Sequence, residues 1–299
     1  MTTIGYYPGC SLHGTAKDYG HSVETLAKLL DVTLHEIDDW NCCGASSAHS
    51  LNHQLSISLP ARTMSQAQRG GFKDVLAPCA MFFSNLKIVN HAFESESVKA
   101  ETNQTLEHSY TEHVHPLNLI QFIQKYGTEK LAGAGQILKG MKVACYYGCL
   151  LVRPLDVMKH ERPEDPQDME ALVTLTGATP VDWNFKTECC GGGLVMSRAE
   201  AVVELVARIM ENAKNHGADV ILAACPMCHA NLDMMQADAG KLRKTSLNIP
   251  ILYLSELMAL ALGAQLKELL VNTHITDATG YLKKFLAGQK PAASQGGSV

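Results

Sequence analysis

Val220-Ile221-Leu222-Ala223-Ala224-Cys225-Pro226-Met227-Cys228 is an unbroken apolar run that closes on two cysteines. Four to six consecutive apolar residues, rich in β-branched types, are the mark of a strand buried on both faces of a parallel sheet. Pro226, directly after the first cysteine, suits the first turn of a helix. The pattern is strand, thiol, helix. Upstream lie Cys149 and the adjacent pair of Glu188-Cys189-Cys190-Gly191-Gly192-Gly193, so five cysteines are spaced Cys-x39-Cys-Cys-x34-Cys-x2-Cys. Adjacent cysteines cannot easily aim both sulfurs at one tetrahedral ion, which disfavours a two-knuckle zinc site. They suit a multi-iron cluster, whose irons each take a different thiolate, on glycine backbone that can approach inorganic sulfide.

The first half of the chain repeats this arrangement. Ile4–Tyr7 reads as a strand ending in Pro8-Gly9-Cys10, and Val32–Ile37 as one leading to Asn41-Cys42-Cys43-Gly44. Phe72–Ala77 is a strand closing on Pro78-Cys79. In the second half Val143–Tyr147 leads to Gly148-Cys149, and Thr179–Trp183 leads to Cys189-Cys190. Cys10 maps to Cys149 at an offset of 139, Cys42 and Cys43 to Cys189 and Cys190 at 147, and Cys79 to Cys225 at 146. Asn85-Leu86 maps to Asn231-Leu232 at the last offset, which places Phe82 opposite Cys228. Internal repetition of this kind predicts two copies of one supersecondary unit. The expected fold is α/β, with two pseudo-symmetric cysteine-rich modules. Each is a small, mostly parallel sheet flanked by helices, with cysteines at the carboxyl ends of the strands, where open α/β sheets place ligands. The expected boundaries are 1–134, 135–285 and a flexible tail, 286–299.

Between these landmarks, Tyr19, Val23, Leu26 and Leu30 define one helix face, and a further helix is expected to begin near Pro60. Glu94–His113 is polar and aperiodic and reads as a surface excursion. His115-Pro116-Leu117 is expected to open an apolar helix to Tyr126, matched by Ile249–Gly263. Gly127–Gly140 is the expected connection between modules. Ser197 and Glu200 form a sequence capping box for a helix with Val202, Leu205, Val206 and Ile209 on its buried face, ended by Gly217.

Composition narrows the class. The 299 residues are 46% hydrophobic and 18% charged, with a net charge of −5 and no basic stripe, which argues against nucleic acid. The best apolar run, Ile251–Ala264, is interrupted by Ser255 and Glu256 and is too short to span a membrane. The first residues lack a basic start followed by an apolar stretch, so the expectation is a cytoplasmic protein. Ten cysteines then read as metal or redox sites rather than disulfides.

The concatenation Tyr6-Tyr7-Pro8-Gly9-Cys10-Ser11-Leu12-His13-Gly14, Asp39-Trp40-Asn41-Cys42-Cys43-Gly44-Ala45, Ala144-Cys145-Tyr146-Tyr147-Gly148-Cys149 and Cys225-Pro226-Met227-Cys228 resembles the B subunit of heterodisulfide reductase. That family is built from two modules named after their Cys-Cys-Gly core, and the resemblance covers nearly the whole chain. It implies a noncubane [4Fe–4S] cluster on Cys149, Cys189, Cys190, Cys225 and Cys228, with reductive cleavage of a mixed disulfide as the reaction. It implies electrons delivered from a flavin-containing subunit through a small iron–sulfur subunit. In the related complexes of sulfur oxidisers, the substrate sulfur rides on a lipoyl-carrying protein. Phe82 is a departure from the pattern, since phenylalanine offers iron no lone pair. Cys10, Cys42, Cys43 and Cys79 are then a set of four, enough for a [4Fe–4S] cubane or for a smaller cluster.

Other residues admit two readings. His229 and His13 are candidate proton donors to a departing thiolate, or two of thirteen unremarkable histidines. Arg153 is a candidate anion-binding catalytic residue, or half of a surface ion pair. Cys145 reads as a buried strand cysteine. Gly191-Gly192-Gly193 lacks the Lys-Ser/Thr ending of a phosphate loop and reads as backbone beside a cluster. Leu254, Leu257, Met258 and Ala261 are core or a partner face. Three functions remain open: an enzyme component performing thiol–disulfide or sulfur redox, an electron-transfer module without its own substrate, and a zinc-stabilised scaffold.

Overall fold

The structure, a computed structural model, describes residues 2–111 and 114–289. The first module runs β1 (Thr2–Tyr6), α1 (Gly9–His13), α2 (Lys17–Leu29), β2 (Val32–Glu36), α3 (Ala45–Leu51) and α4 (His53–Arg69). It continues with β3 (Asp74–Leu76), α5 (Ala80–Ala92), α6 (Glu96–Gln104), β4 (His115–Leu117), α7 (Leu119–Tyr126) and α8 (Thr128–Ala132). The second runs β5 (Lys142–Tyr146), α9 (Leu155–Met158), α10 (Asp168–Leu175), β6 (Thr179–Pro180), α11 (Ala199–Asn215) and β7 (Val220–Ala223). Then come α12 (Pro226–Met234), α13 (Gln236–Arg243), β8 (Ile251–Tyr253), α14 (Leu254–Ala261) and α15 (Ala278–Gln289).

The two sheets are parallel throughout and have the same order, β2-β1-β3-β4 and β6-β5-β7-β8. The strand order reverses between β1 and β3, and between β5 and β7. That reversal opens a crevice at the carboxyl edge, the usual ligand position of such sheets. Cys10 and Cys79 flank it in the first module, and Cys149 and Cys225 in the second.

The modules pack as a reciprocal pair. α2 lies on α14, where buried Ser22 Oγ and Ser255 Oγ are 2.6 Å apart and the Tyr19 ring stacks on Tyr253 at 4.4 Å. α7 lies on α10, where Gln124 donates to Asp168 at 2.8 Å. Exchanging modules exchanges these two contacts, as a pseudo-twofold relation requires. The stripe of Leu254, Leu257, Met258 and Ala261 is fully enclosed by this packing and belongs to the core. The connection from Gly127 to Gly140 is itself packed: it contains α8, and Leu131 and Leu138 are buried.

Several local expectations need correction. His115-Pro116-Leu117 is the edge strand β4, not the start of a helix, and Ile251–Tyr253 is likewise a strand before α14. Proline is tolerated there because an edge strand leaves one row of N–H groups unpaired anyway. α4 begins at Asn52, whose side chain accepts from Leu55 N–H at 3.0 Å, and Pro60 lies inside the helix. The aperiodic segment from Glu94 contains α6, secured by polar contacts: the Asn103 side chain accepts from Tyr110 N–H at 2.8 Å and donates to its carbonyl at 3.2 Å. Ser197 does not cap α11, because the N-cap is Arg198 and Ser197 Oγ turns to the Leu194 carbonyl. Leu286–Gln289, expected to be tail, are the last turn of α15, and the rest of that tail, 290–299, lies outside the described residues.

Candidate metal centre

In the second module three strand-end loops bring five thiols to one cavity. β5 ends at Tyr146, and the chain turns at Gly148 with φ of +66° to present Cys149. The loop after β6 carries Cys189 and Cys190 into Gly191, again left-handed at φ +78°. β7 delivers Cys225 to the N-cap of α12, and Cys228 follows on its first turn with Pro226 at the start. Cys190 Sγ and Cys228 Sγ are 3.6 Å apart, and the Gly191 N–H donates to Cys189 Sγ at 3.3 Å. Both glycines are needed for approach as well as for φ. A Cβ on Gly148 would stand 2.9 Å from Cys228 Sγ.

Polar contacts behind the sulfurs fix the loops. Tyr146 OH donates to the Glu188 carbonyl at 2.6 Å, and Asn231 Nδ2 to the Cys190 carbonyl at 3.0 Å. The carbonyl of Lys186 accepts from Tyr147 N–H and Gly148 N–H at 2.9 and 3.1 Å. Its ammonium is buried on Glu170 at 3.0 Å and Asp165 at 2.8 Å, and Tyr147 OH donates to the same Glu170 at 2.5 Å. A buried ion pair therefore underlies the Cys149 turn.

The cavity is walled by Ala80, Met81, Tyr147, Leu150 and Met227 in addition to the cysteines, and no charged side chain lines it. The thiols share protons unevenly. Cys189, accepting from Cys149, is lowered to about 6, while Cys149 is pushed up by that hydrogen bond and by burial. Cys225 is lowered by the hydrogen bonds it accepts from Cys228 and Cys79. Among the described residues, no three His, Cys, Asp or Glu side chains surround a single point as ligands of one ion. Five thiols instead line the walls of one glycine-floored cavity. That donor set fits an iron–sulfur cluster.

In the first module Cys10 and Cys42 are exposed and hydrogen-bonded to each other, with Cys43 buried beside them. The tyrosine, the asparagine and both glycines that support the second module's cysteines recur at matched positions, whereas the Lys186–Glu170 pair does not, since Lys186 matches Asp39 and Tyr147 matches Pro8. Tyr7 OH donates to the Asn41 carbonyl at 2.7 Å, Asn85 Nδ2 donates to the Cys43 carbonyl at 3.1 Å, and Gly9 and Gly44 have φ of +59° and +81°. A Cβ on Gly9 would run into the Phe82 ring, as one on Gly148 would meet Cys228. Phe82 thus fills, in space as in register, the place of the fifth thiol, and its ring packs on Tyr7 at 5.3 Å. Cys79, the fourth of the expected set, is buried at the N-cap of α5. Its thiol contacts Cys225 of the other module.

The candidate proton donors and anion binder lie elsewhere. His229 points into the core, its Nε2 3.1 Å from the Ile251 carbonyl and its ring stacked on Tyr253 at 3.9 Å, and burial lowers its pKa well below the ordinary value. The imidazole is thus engaged in the core and is not among the residues that line the cavity. His13 stacks on Trp40 and pairs with Glu36 at 2.9 Å on the surface. Arg153 is held by the Thr187 carbonyl at 3.3 Å and Glu164 at 2.6 Å, the surface ion-pair reading. Cys145 is buried in β5, and its carbonyl accepts from Trp183 Nε1 at 3.1 Å. Sequence reasoning missed Met81, a first-module residue in the second module's wall, because register compares the modules and does not show where they touch. It also missed the Lys186–Glu170 pair, which no spacing rule announces.

The cysteine-rich domain family, CCG, matches residues 4–87 and again 143–233. The chain belongs to this family and carries its domain twice. Among its relatives is the 8-methylmenaquinol:fumarate reductase membrane anchor subunit of Wolinella succinogenes, 30% identical over 92% of this chain and 98% of that one. Another is the B subunit of the ferredoxin/F(420)H(2)-dependent CoB-CoM heterodisulfide reductase of Methanosarcina acetivorans, 28% identical over 95% of this chain and 97% of that one. A protein of Archaeoglobus profundus described as like the heterodisulfide reductase B subunit is 25% identical over 97% and 100%. The crystal structure of a hypothetical protein from Helicobacter pylori superposes on 92% of this chain with a TM-score of 0.73 at 12% identity. This CCG chain spans about half, 52%, of that protein's length, and the likeness is one of fold. Among the described residues of this family member, no helix is long and apolar enough to cross a membrane.

Proposed function

We propose that this chain is the iron–sulfur B subunit of a multi-subunit oxidoreductase of the heterodisulfide reductase kind, with sulfur redox at its second module. The observation that carries this reading is the convergence of Cys149, Cys189, Cys190, Cys225 and Cys228 from three strand ends on one apolar-walled cavity. These five would hold a noncubane [4Fe–4S] cluster, which supplies iron that can take up a substrate sulfur and pass single electrons. The protein's own part is positional. Gly148 lets Cys228 come close, Asn231 and Tyr146 lock the Cys189–Cys190 turn, and the Lys186–Glu170 pair anchors the Cys149 turn. Met81, Leu150 and Met227 keep water from the buried sulfurs. Apart from the cysteines no ionisable side chain stands in the wall, so the arm carrying the reacting sulfur is gripped by apolar contact, and Cys189 marks the exposed side from which it enters.

Cleaving a disulfide to two thiols consumes two electrons and two protons. The chain has no flavin or nicotinamide fingerprint, so the electrons come from partners: a small iron–sulfur subunit and a flavin-containing subunit in a cytoplasmic complex. A lipoyl-carrying protein is the alternative sulfur donor. The three thiols Cys10, Cys42 and Cys43 form a lesser metal site away from substrate. Iron and acid-labile sulfide analysis of the isolated complex, with electron paramagnetic resonance of the oxidised protein before and after thiol addition, tests this. The proposal expects a signal that thiol changes. Absence of iron and sulfide, or a signal indifferent to every thiol and disulfide offered, overturns it in favour of a scaffold or a pure electron relay.

A further inference from the structure

Matching positions assign Cys79 to the first module's thiols, but the geometry assigns it to the other site. We propose that Cys79 is a sixth sulfur of the second module's centre, lent by the first module across the boundary. The proposal rests on the reading of that centre as an iron–sulfur site.

Three observations converge on it. The Cys79 thiol is buried and in hydrogen-bond contact with Cys225, whereas Cys10, Cys42 and Cys43 contact one another. The two residues that follow, Ala80 and Met81, line the second module's cavity together with all five of its cysteines. The start of α5, directly after Cys79, therefore forms part of that cavity's wall. The turn is also tied to the second module from behind: Tyr19 OH donates to the Pro78 carbonyl at 3.1 Å, and the Tyr19 ring stacks on Tyr253.

Phe82 supplies the reason on the first-module side. One turn along α5 from Cys79, its ring covers Gly9 and occupies the volume that the matched thiol fills in the other module. A centre of the five-thiol kind cannot be assembled there. Cys79 is thereby left without the partner that the Cys225–Cys228 pair has, and its hydrogen-bond contact is with Cys225 instead. Placed beside a ligating sulfur, Cys79 alters the charge and hydrogen bonding at the cluster edge, which are the levers that set cluster potentials.

The test uses the full-length protein as isolated with its clusters. Cys79→Ser is compared with Cys42→Ser, reading iron, sulfide and other metal content and the paramagnetic signal of the second centre. The expected result is that Cys79→Ser shifts or abolishes that signal and spares the first site's metal, while Cys42→Ser does the reverse. If Cys79→Ser instead behaves like Cys42→Ser, the proposal is overturned. A second measurement needs neither the Cys79→Ser chain nor iron. After cluster removal, the Cys228→Ser chain, which lacks the competing partner of Cys225, is oxidised with a diazene dicarboxamide, and the disulfides are mapped by mass spectrometry. A Cys79–Cys225 peptide pair supports the proposal. Cys79 linked to Cys10, Cys42 or Cys43, or left reduced, refutes it. Failure to find iron and sulfide would remove the proposed function while leaving this map to decide the placement of Cys79.

Discussion

At the scale of single residues, the two modules differ most where they match best. Gly9 sits under an aromatic ring and Gly148 under a thiol, with near-identical backbone. Gly148→Ala therefore combines two penalties, a left-handed Cβ costing about 1–2 kcal/mol and a clash with the Cys228 sulfur. Gly217 isolates the first, since its φ is +76° and nothing lies near its missing Cβ. We expect Gly217→Ala to lower thermal stability and leave cluster content intact, and Gly148→Ala to lower both. Equal cluster content in the two variants would show that close approach at Gly148 is unimportant. Phe82 was legible in the sequence, since one offset carried Asn85 to Asn231 and Phe82 to Cys228. The direction of the Cys79 thiol was not, because side-chain orientation at a boundary depends on what the other module presents.

At the scale of elements, the strands before the cysteines were legible because each runs into a turn marked by Gly, Pro or paired cysteines, and β7 is in addition an apolar run buried along its whole length. β4 escaped because three residues are too few to show a period, and its proline resembled a helix start. α6 escaped because its anchor is the Asn103–Tyr110 pair of hydrogen bonds rather than an apolar face. The support beneath Cys149 escaped for a related reason. Lys186 and Glu170 lie on different elements, and neither announces burial. Removing one member leaves the other charged and unpaired, a change that costs about 3–5 kcal/mol. Lys186→Met should lower the urea-derived stability by that order and reduce iron occupancy at the second centre, with the first site spared. A loss within the range of an exposed pair, under about 1 kcal/mol, would show that the pair does not support the turn.

At the scale of the whole molecule, the modules share one core, and a buried His–Glu pair sits where α2 meets α14. His274 lies 3.1 Å from Glu256 and 4.0 Å from Asp18 of α2. Burial alone would lower the His274 pKa, but the Glu256 carboxylate outweighs it, so the folded value stands above the ordinary 6.5; Asp233 and Asp18 act in the same direction. A raised histidine contributes stability that is complete below pH 6.5 and is lost as pH rises through the folded value. Glu256, raised by burial, holds its proton more tightly when folded and slopes the same way. Urea midpoints should therefore fall with rising pH above 6.5 in the native chain and fall less in His274→Gln. Parallel profiles for the two proteins would contradict this.

The inequality of the two modules is the central claim. The direct measurement is electron paramagnetic resonance of the oxidised complex, with and without added thiol, for the native chain, Cys228→Ser and Cys10→Ser. We predict that Cys228→Ser loses the thiol-responsive signal and turnover while keeping the first site's metal, and that Cys10→Ser keeps the signal. A full signal and full activity in Cys228→Ser, or a thiol response that disappears with Cys10, would contradict it.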